Sequence, residues 1–221
     1  MRRSSPLTFN RLFFLLLIVA LLILSIIIKK HIEKPSRPPI EKTGAARVID
    51  GDTFVDADGR KIRLLAIDTP EKGEPYYEEA KNELGRIIGD RRLRFEFGPE
   101  SNDRYGRLLA FVFADDSIFV NARLLEEGLA RAYFFEENML TTPYADRLCQ
   151  SQKVALHADI GIWSLVAPRA ETRYFGNPNT LRFHRPSCNS VERSDTTALL
   201  RATNRDFFLE RCYSPCRNCK P

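Results

Sequence analysis

From about Ala45 the chain alternates short apolar runs with charged turns, the rhythm of a small sheet. ARVIDGDTFV and KIRLLAI flank DADGR, whose Asp58-Gly59 predicts a tight hairpin. RRLRFEF alternates strictly, as a strand with one buried face does, and RLLAFVFA is apolar enough for a strand buried on both faces. Over 75–89 the period changes, placing Ala80, Leu84, Ile87 and Ile88 on one helical face. Asn121 is positioned to cap a short helix ended by Gly128, and Thr142-Pro143 to start another running to about His157. Strands closed by a few helices predict a small α+β barrel, sealed at Ile162-Trp163-Ser164 by the indole. The sequence contains no internal repeats.

Three further segments break this pattern. Residues 12–28, LFFLLLIVALLILSIII, carry no charge. As a helix they would span roughly 25 Å, slightly short of a bilayer core, and Arg11 and Lys29 could snorkel to make up the difference. An uncleaved transmembrane anchor (1–28) is the expectation. A cleaved secretory signal is the competing reading, against which stands the lack of a small-x-small site before Lys29-Lys30. Residues 29–44 are rich in proline and charge, as a semi-extended linker is. After Pro168 the chain becomes rich in Arg, Ser, Asn and Thr and holds four of the five cysteines, with too little apolar content for a conventional core.

The net charge of +5 suggests nucleic acid until it is divided. Residues 1–41 carry +5, 42–164 carry −5 and 165–221 carry +5. The central domain is therefore no general polyanion binder, and any phosphate it holds needs a local basic cluster or a metal.

In the first strand, VIDGDTF interrupts good strand formers with two aspartates around a glycine. Alone, Asp50-Gly51 could be a turn, Thr69-Pro70-Glu71 a loop, and Arg104 and Arg107 solvated surface. Together, VIDGDT, IRLLAIDTPE, DRYGR and GIWS supply what phosphodiester hydrolysis demands. Asp52 and Asp68 are hard oxygen donors suited to Ca²⁺ or Mg²⁺. Glu71 could deprotonate a water, and Arg63 and Arg107 offer planar forks matching two phosphate oxygens. Spacing raises an obstacle. A hairpin at Asp58-Gly59 sets Asp52 opposite Leu64 or Leu65, leaving Asp68 roughly 10–13 Å further along. Arg63 and Asp68 would also face opposite sides of a regular strand. The groups converge only if the chain bends or bulges, and Gly51 is the candidate for that distortion.

These motifs, in this order over 45–164, closely resemble the staphylococcal nuclease (thermonuclease) family, an OB-fold barrel with helices that cuts DNA and RNA using Ca²⁺. The resemblance implies that Asp52, Asp68 and the Thr69 backbone carbonyl hold calcium. It makes Glu71 the general base and gives the phosphate to Arg63 and Arg107. Tyr105 would contact phosphate and Tyr133 would stack on a base. Phe135 stands where the family often has a second tyrosine, keeping the stacking surface without the hydroxyl. All five catalytic positions hold the expected residue types, which argues against a module that has lost its acids. A histidine-based nuclease is disfavoured, since His157 is the only histidine in 45–164 and reads as structural.

In the tail, His184-x3-Cys188 and Cys216-x2-Cys219 are separated by 27 residues. Two close pairs of N/S ligands suit tetrahedral zinc, which would supply folding energy to a core-poor module (165–221). A Cys216–Cys219 disulfide is the alternative, above all outside the cytoplasm. The pattern resembles the zinc-binding domain of the Ada DNA-repair protein, with His184 where that family has its first cysteine, so no methyl-acceptor chemistry is carried over. Cys149 and Cys212 read as non-ligands. Arg182, Arg185 and Arg217 are candidates for gripping substrate backbone. The resulting expectation is a single-pass protein of the cytoplasmic (inner) membrane, its nuclease domain on the outer side where calcium is plentiful. A non-catalytic DNA-presenting module and a zinc-stabilised scaffold contacting protein are the rival readings, and no feature identifies a protein partner.

Overall fold

A computed structural model describes residues 17–19, 21–23, 40–43, 45–134, 144–165 and 171–221. It divides into two units, Met1–Arg37 and Pro38–Pro221. In the first, residues 17–19 and 21–23 are helical and exposed, and the rest of the expected anchor at 12–28 lies outside the described residues. Among the described residues no helix is long and apolar enough to cross a membrane.

The second unit opens with β1 (Ile40–Thr43), β2 (Ala45–Asp50), β3 (Thr53–Asp56), β4 (Lys61–Leu64) and β5 (Ile67–Asp68). Helix α1 (Tyr77–Ile88) leads to β6 (Arg92–Asn102), β7 (Leu108–Ala114) and β8 (Ile118–Phe119). Helix α2 (Val120–Glu126), β9 (Arg131–Ala132) and α3 (Ala145–Ala158) complete the α+β, OB-like part. The main sheet runs β1-β6-β7-β4-β3-β2, with β8 pairing β7, while β5 and β9 form a separate two-stranded sheet. β7 lies between β6 and β4, which is why Ala110 to Ala114 are all buried. In β6, Leu93 and Phe95 are fully buried while Arg94 and Glu96 pair outside, so the alternation separates core from solvent as expected. Helix α1 buries Ala80, Leu84, Ile87 and Ile88, the predicted stripe.

Two local expectations need correction. Helix α2 begins at Val120, and Asn121 caps nothing. Its buried amide accepts the Val112 N–H at 3.0 Å and donates to the Leu65 carbonyl at 2.8 Å. An Asn can satisfy a donor and an acceptor at once, and where a helix start meets two strands that use outweighs capping. Gly128 does follow the helix, at φ 67°, and there it faces Gly161; Ile162 N–H donates to its carbonyl at 2.8 Å, docking the GIWS segment. Helix α3 occupies the predicted place, though Thr142-Pro143 lies outside the described residues.

The second correction concerns the tail. β10 (Tyr174–Asn177), β11 (Arg182–His184), α4 (Asn189–Glu192), β12 (Leu200–Ala202), α5 (Asp206–Leu209) and β13 (Ser214–Pro215) form a sheet in the order β12-β10-β11-β13 with two short helices. Tyr174, Phe183, Phe208, Leu209 and Tyr213 bury themselves against Ala155, Ile162 and Trp163. The tail thus has a core, built from few but large side chains and shared with the segment expected to end the preceding domain. Cys149 of α3 and Cys212 are joined in a disulfide, Cα atoms 5.7 Å apart. Ser214 Oγ donates to the Ala132 carbonyl, and Gln152 bridges the Ala132 N–H and the Leu209 carbonyl.

Candidate active site and metal centre

Thr53 pairs with Arg63 across the β3–β4 hairpin, whose turn holds Gly59 at φ 81°. The Leu64 N–H donates to the Asp52 carbonyl at 2.8 Å, as the spacing predicted. The bend that returns Asp68 toward Asp52 comes at Ala66 rather than at Gly51. Ala66 has φ 63°, a conformation costing about 1–2 kcal/mol for a residue with a Cβ. There the chain leaves the main sheet. Leu65 N–H still donates to Ala110, the Ala66 carbonyl accepts from Tyr133, and Asp68 pairs with Arg131 of β9. β2 also slips register between Val48 and Asp50. Gly51 serves closeness instead: a Cβ there would lie 2.7 Å from Ala80 Cβ and 2.8 Å from Thr69 Oγ1.

That closeness lets Thr69 hold Asp52. The Thr69 N–H and hydroxyl both donate to Asp52 Oδ2, at 3.1 and 3.0 Å, and Thr53 Oγ1 donates to Oδ1 at 3.0 Å. Arg63, buried and anchored on the Leu64 carbonyl at 2.7 Å, reaches both acids with one nitrogen. It lies 3.0 Å from Asp52 Oδ2 and 3.5 Å from Asp68 Oδ1. Burial pushes the Asp52 carboxyl up, Arg63 works against this, and Asp50 adds to it. The Arg107 Nε donates to Asp103 Oδ2 at 2.7 Å, and its Nη1 to Thr53 Oγ1 at 3.4 Å. Burial opposes the charge on Asp103, but hydrogen bonds from Arg107 and Tyr105 outweigh it and hold this carboxyl below its usual range.

A cleft of about 620 Å³ opens over these groups, lined by Asp52, Arg63, Glu71, Tyr105 and Arg107 among others. Four of the five predicted catalytic and metal-binding side chains therefore share one wall system. The fifth, Asp68, touches Arg63 but is capped from the cleft by Arg217, whose Nε donates to Asp68 Oδ2 at 3.3 Å and whose terminal nitrogen donates to Oδ1. Tyr105 is 67% exposed at the rim, free to meet a large ligand. Tyr133 departs from its expected role as an open stacking platform. It is buried, with the Arg182 guanidinium 3.7 Å and that of Arg217 4.8 Å from its ring centroid. Phe135 lies outside the described residues. One contributor, Asp50, was not singled out as a site residue from sequence, and another, Arg217, was expected only as a grip on substrate backbone. Asp50 lines the cleft beside Asp52, readable in the doubled acid of IDGD; Arg217 gave no sign that it would meet Asp68.

In the tail, ligand atoms of His184, Cys188, Cys216 and Cys219 all lie within 4.8 Å of one another, with Cys188 Sγ 3.4 Å from His184 Nδ1. Bonds of about 2.1–2.3 Å to zinc imply tetrahedral edges of roughly 3.5–3.8 Å, so this cluster is near the size required. Burial and neighbouring Arg182 push the His184 imidazole down, favouring the neutral form that ligates metal. Cys216 and Cys219 are free thiols, not the disulfide held open as an alternative.

A profile described as Staphylococcal nuclease homologue matches residues 61–165. The thermonuclease of Staphylococcus hyicus is 40% identical over 127 residues, covering 53% of this chain and 73% of that protein. That of Staphylococcus intermedius is 40% identical over 126 residues with the same coverage. The endonuclease YncB of Bacillus subtilis is 39% identical over 129 residues, 53% of this chain and 59% of YncB. The match takes in Arg63, the bend at Ala66, Asp68, Glu71 and Arg107 and stops where the Cys/His tail begins. With 40% identity to a thermonuclease covered over 73% of its length, the chain belongs to the staphylococcal nuclease homologue family.

Proposed function

We propose that the protein hydrolyses phosphodiester bonds of DNA and/or RNA with the help of Ca²⁺. The observation that carries this reading is the single cleft in which Asp52, Arg63, Glu71 and Arg107 meet, with Asp68 one guanidinium behind them. The donor set fits a hard cation. Asp52 and Asp68 supply carboxylate oxygens, close enough for one Arg63 nitrogen to reach both. Thr69 can add its carbonyl while its N–H and hydroxyl hold Asp52 in place. When bound, the cation supplies electrostatic stabilisation of charge on the phosphoryl oxygens. Arg63 and Arg107 serve that charge with donors held in position by the Leu64 carbonyl and by Asp103. Glu71, exposed at the mouth with its N–H fixed on Glu74, takes the proton of the attacking water. Tyr105 meets the backbone at the rim.

Zinc bound by His184, Cys188, Cys216 and Cys219 is the companion proposal, supported by the closeness of the four ligand atoms. The apolar run at 12–28 supports tethering to a membrane, and the Cys149–Cys212 disulfide supports an oxidising outer compartment for the folded part.

The test is cleavage of a plasmid and of a labelled RNA in Ca²⁺, in EGTA, and with Glu71→Gln or Arg107→Ala. Cutting is expected only for the unaltered protein in Ca²⁺. Full activity of Glu71→Gln would remove the mechanism, and binding without cutting would restore the non-catalytic module, a reading that the capping of Asp68 by Arg217 favours.

A further inference from the structure

Among the described residues of the tail, Arg217 is the one that lines the nuclease cleft. It sits between two cysteines of the Cys/His cluster, on a loop held from several sides. The Cys216 N–H donates to the Phe183 carbonyl at 3.0 Å, and Arg185 Nε donates to the Cys219 carbonyl at 2.9 Å. Arg185 is itself paired with Glu171 at 2.8 Å, and Lys220 Nζ reaches Glu74 at 2.9 Å. The three arginines considered for gripping substrate thus divide. Arg185 braces the loop, Arg182 lies over Tyr133, and Arg217 extends into the cleft with both prongs on Asp68. Its side chain is 49% exposed while that of Asp68 is 8%, so the guanidinium stands between solvent and the carboxylate.

A carboxylate whose oxygens are taken by a guanidinium cannot offer the same lone pairs to a metal, and two cations on one carboxylate repel. The displaced guanidinium would still lie in a cleft that holds Arg63 and Arg107, where an anionic phosphate is the partner that matches its planar fork. Building on the nuclease reading, we propose that Arg217 is a substrate-contacting residue from outside the nuclease fold. It keeps Asp68 paired until a divalent cation takes those oxygens, and it then engages a phosphate of the nucleic acid. The Cys216–Cys219 loop sets its reach.

The competition predicts changes of opposite sign, which general damage to the fold does not produce. In the full chain, Arg217→Ala should bind Ca²⁺ about tenfold more tightly by calorimetry without substrate, because a charged competitor for Asp68 is gone. On a Glu71→Gln background with Ca²⁺, the same change should weaken binding of a short single-stranded oligonucleotide about tenfold or more by fluorescence anisotropy. The slope of log affinity against log salt should flatten by about 0.7. Arg217→Lys should fall between, retaining charge without the fork. Unchanged or weaker Ca²⁺ binding in Arg217→Ala overturns the proposal, as does unchanged oligonucleotide affinity. These outcomes are separate from failure of the nuclease reading, which would appear as an unaltered protein that does not cut or a Glu71→Gln variant that does.

Discussion

The two candidate metal centres are built on opposite plans. In the cleft every acidic ligand is already engaged. Asp52 accepts from Thr69 and Thr53 and pairs with Arg63, and Asp68 is held by Arg63 and Arg217. In the tail, three thiols and an imidazole face one another across less than 5 Å. A charge-balanced pocket keeps its shape without a cation, so metal there would serve chemistry. The tail already has an aromatic core and a disulfide to α3, so metal on these thiols would brace the loops that carry them rather than build the module.

That contrast is tested most visibly at the tail cluster, by supplying or withholding zinc. Withholding it, or making Cys216→Ser, should free the loops at 184–192 and 214–221, given apparent zinc-binding energies of about 10 kcal/mol or more in small modules, while the core of Tyr174, Phe183 and Phe208 persists. Hydrogen exchange should rise around the cluster and stay low in β6 and β7, whereas EGTA should leave both regions protected. Next in size, Glu71→Gln should slow cleavage about 10²–10⁴-fold, the range of a lost general base, with an unchanged thermal midpoint. Third is the disulfide. Cys149 and Cys212 are 63 residues apart, and closing such a loop is worth about 4 kcal/mol by chain entropy, so a Cys149→Ala/Cys212→Ala protein should lose roughly 2–4 kcal/mol in denaturant titrations.

Acidity gives a finer probe. Since burial raises the Asp52 carboxyl, its protonated form, which cannot hold a cation, appears at higher pH than the ordinary value of 3.8 would allow. Calorimetric Ca²⁺ affinity should therefore decline, as pH falls, before an exposed aspartate would titrate. Glu74 runs the other way. Its bond from Lys220, aided by the Glu71 N–H, lowers its pKa, so its contribution to docking the tail is present above 4.5 and is lost as pH falls through the lower folded value. The pair is largely exposed, and Lys220→Ala should cost less than about 0.5 kcal/mol.

Features set by neighbours in sequence were legible, and those set by distant partners were not. The α1 stripe, the Asp58-Gly59 turn and the opposition of Asp52 and Leu64 follow from periodicity and turn chemistry. That the acids and arginines would converge could be demanded from their chemistry, but the means was hidden. Nothing in an alanine announces a left-handed backbone, and Ala66 adopts it because Ala110 and Tyr133 hold the chain on either side. Asn121 has the composition of a cap and the surroundings of a core bridge. Arg217 and Asp68 are 149 residues apart, and no local pattern encodes such a meeting. Cys149 and Cys212 had no spacing motif to link them, and only the docking of the tail on α3 brings them together.

The void beside Gly51 is less than one methyl group deep, and the hydroxyl that would be pushed aside belongs to Thr69. Alanine at this position looks like a small change by composition and by strand propensity, yet it would press on Ala80 in the core and on the Thr69 hydroxyl that holds Asp52. A single methyl group there would couple the packing of α1 to the aim of a carboxylate in the cleft.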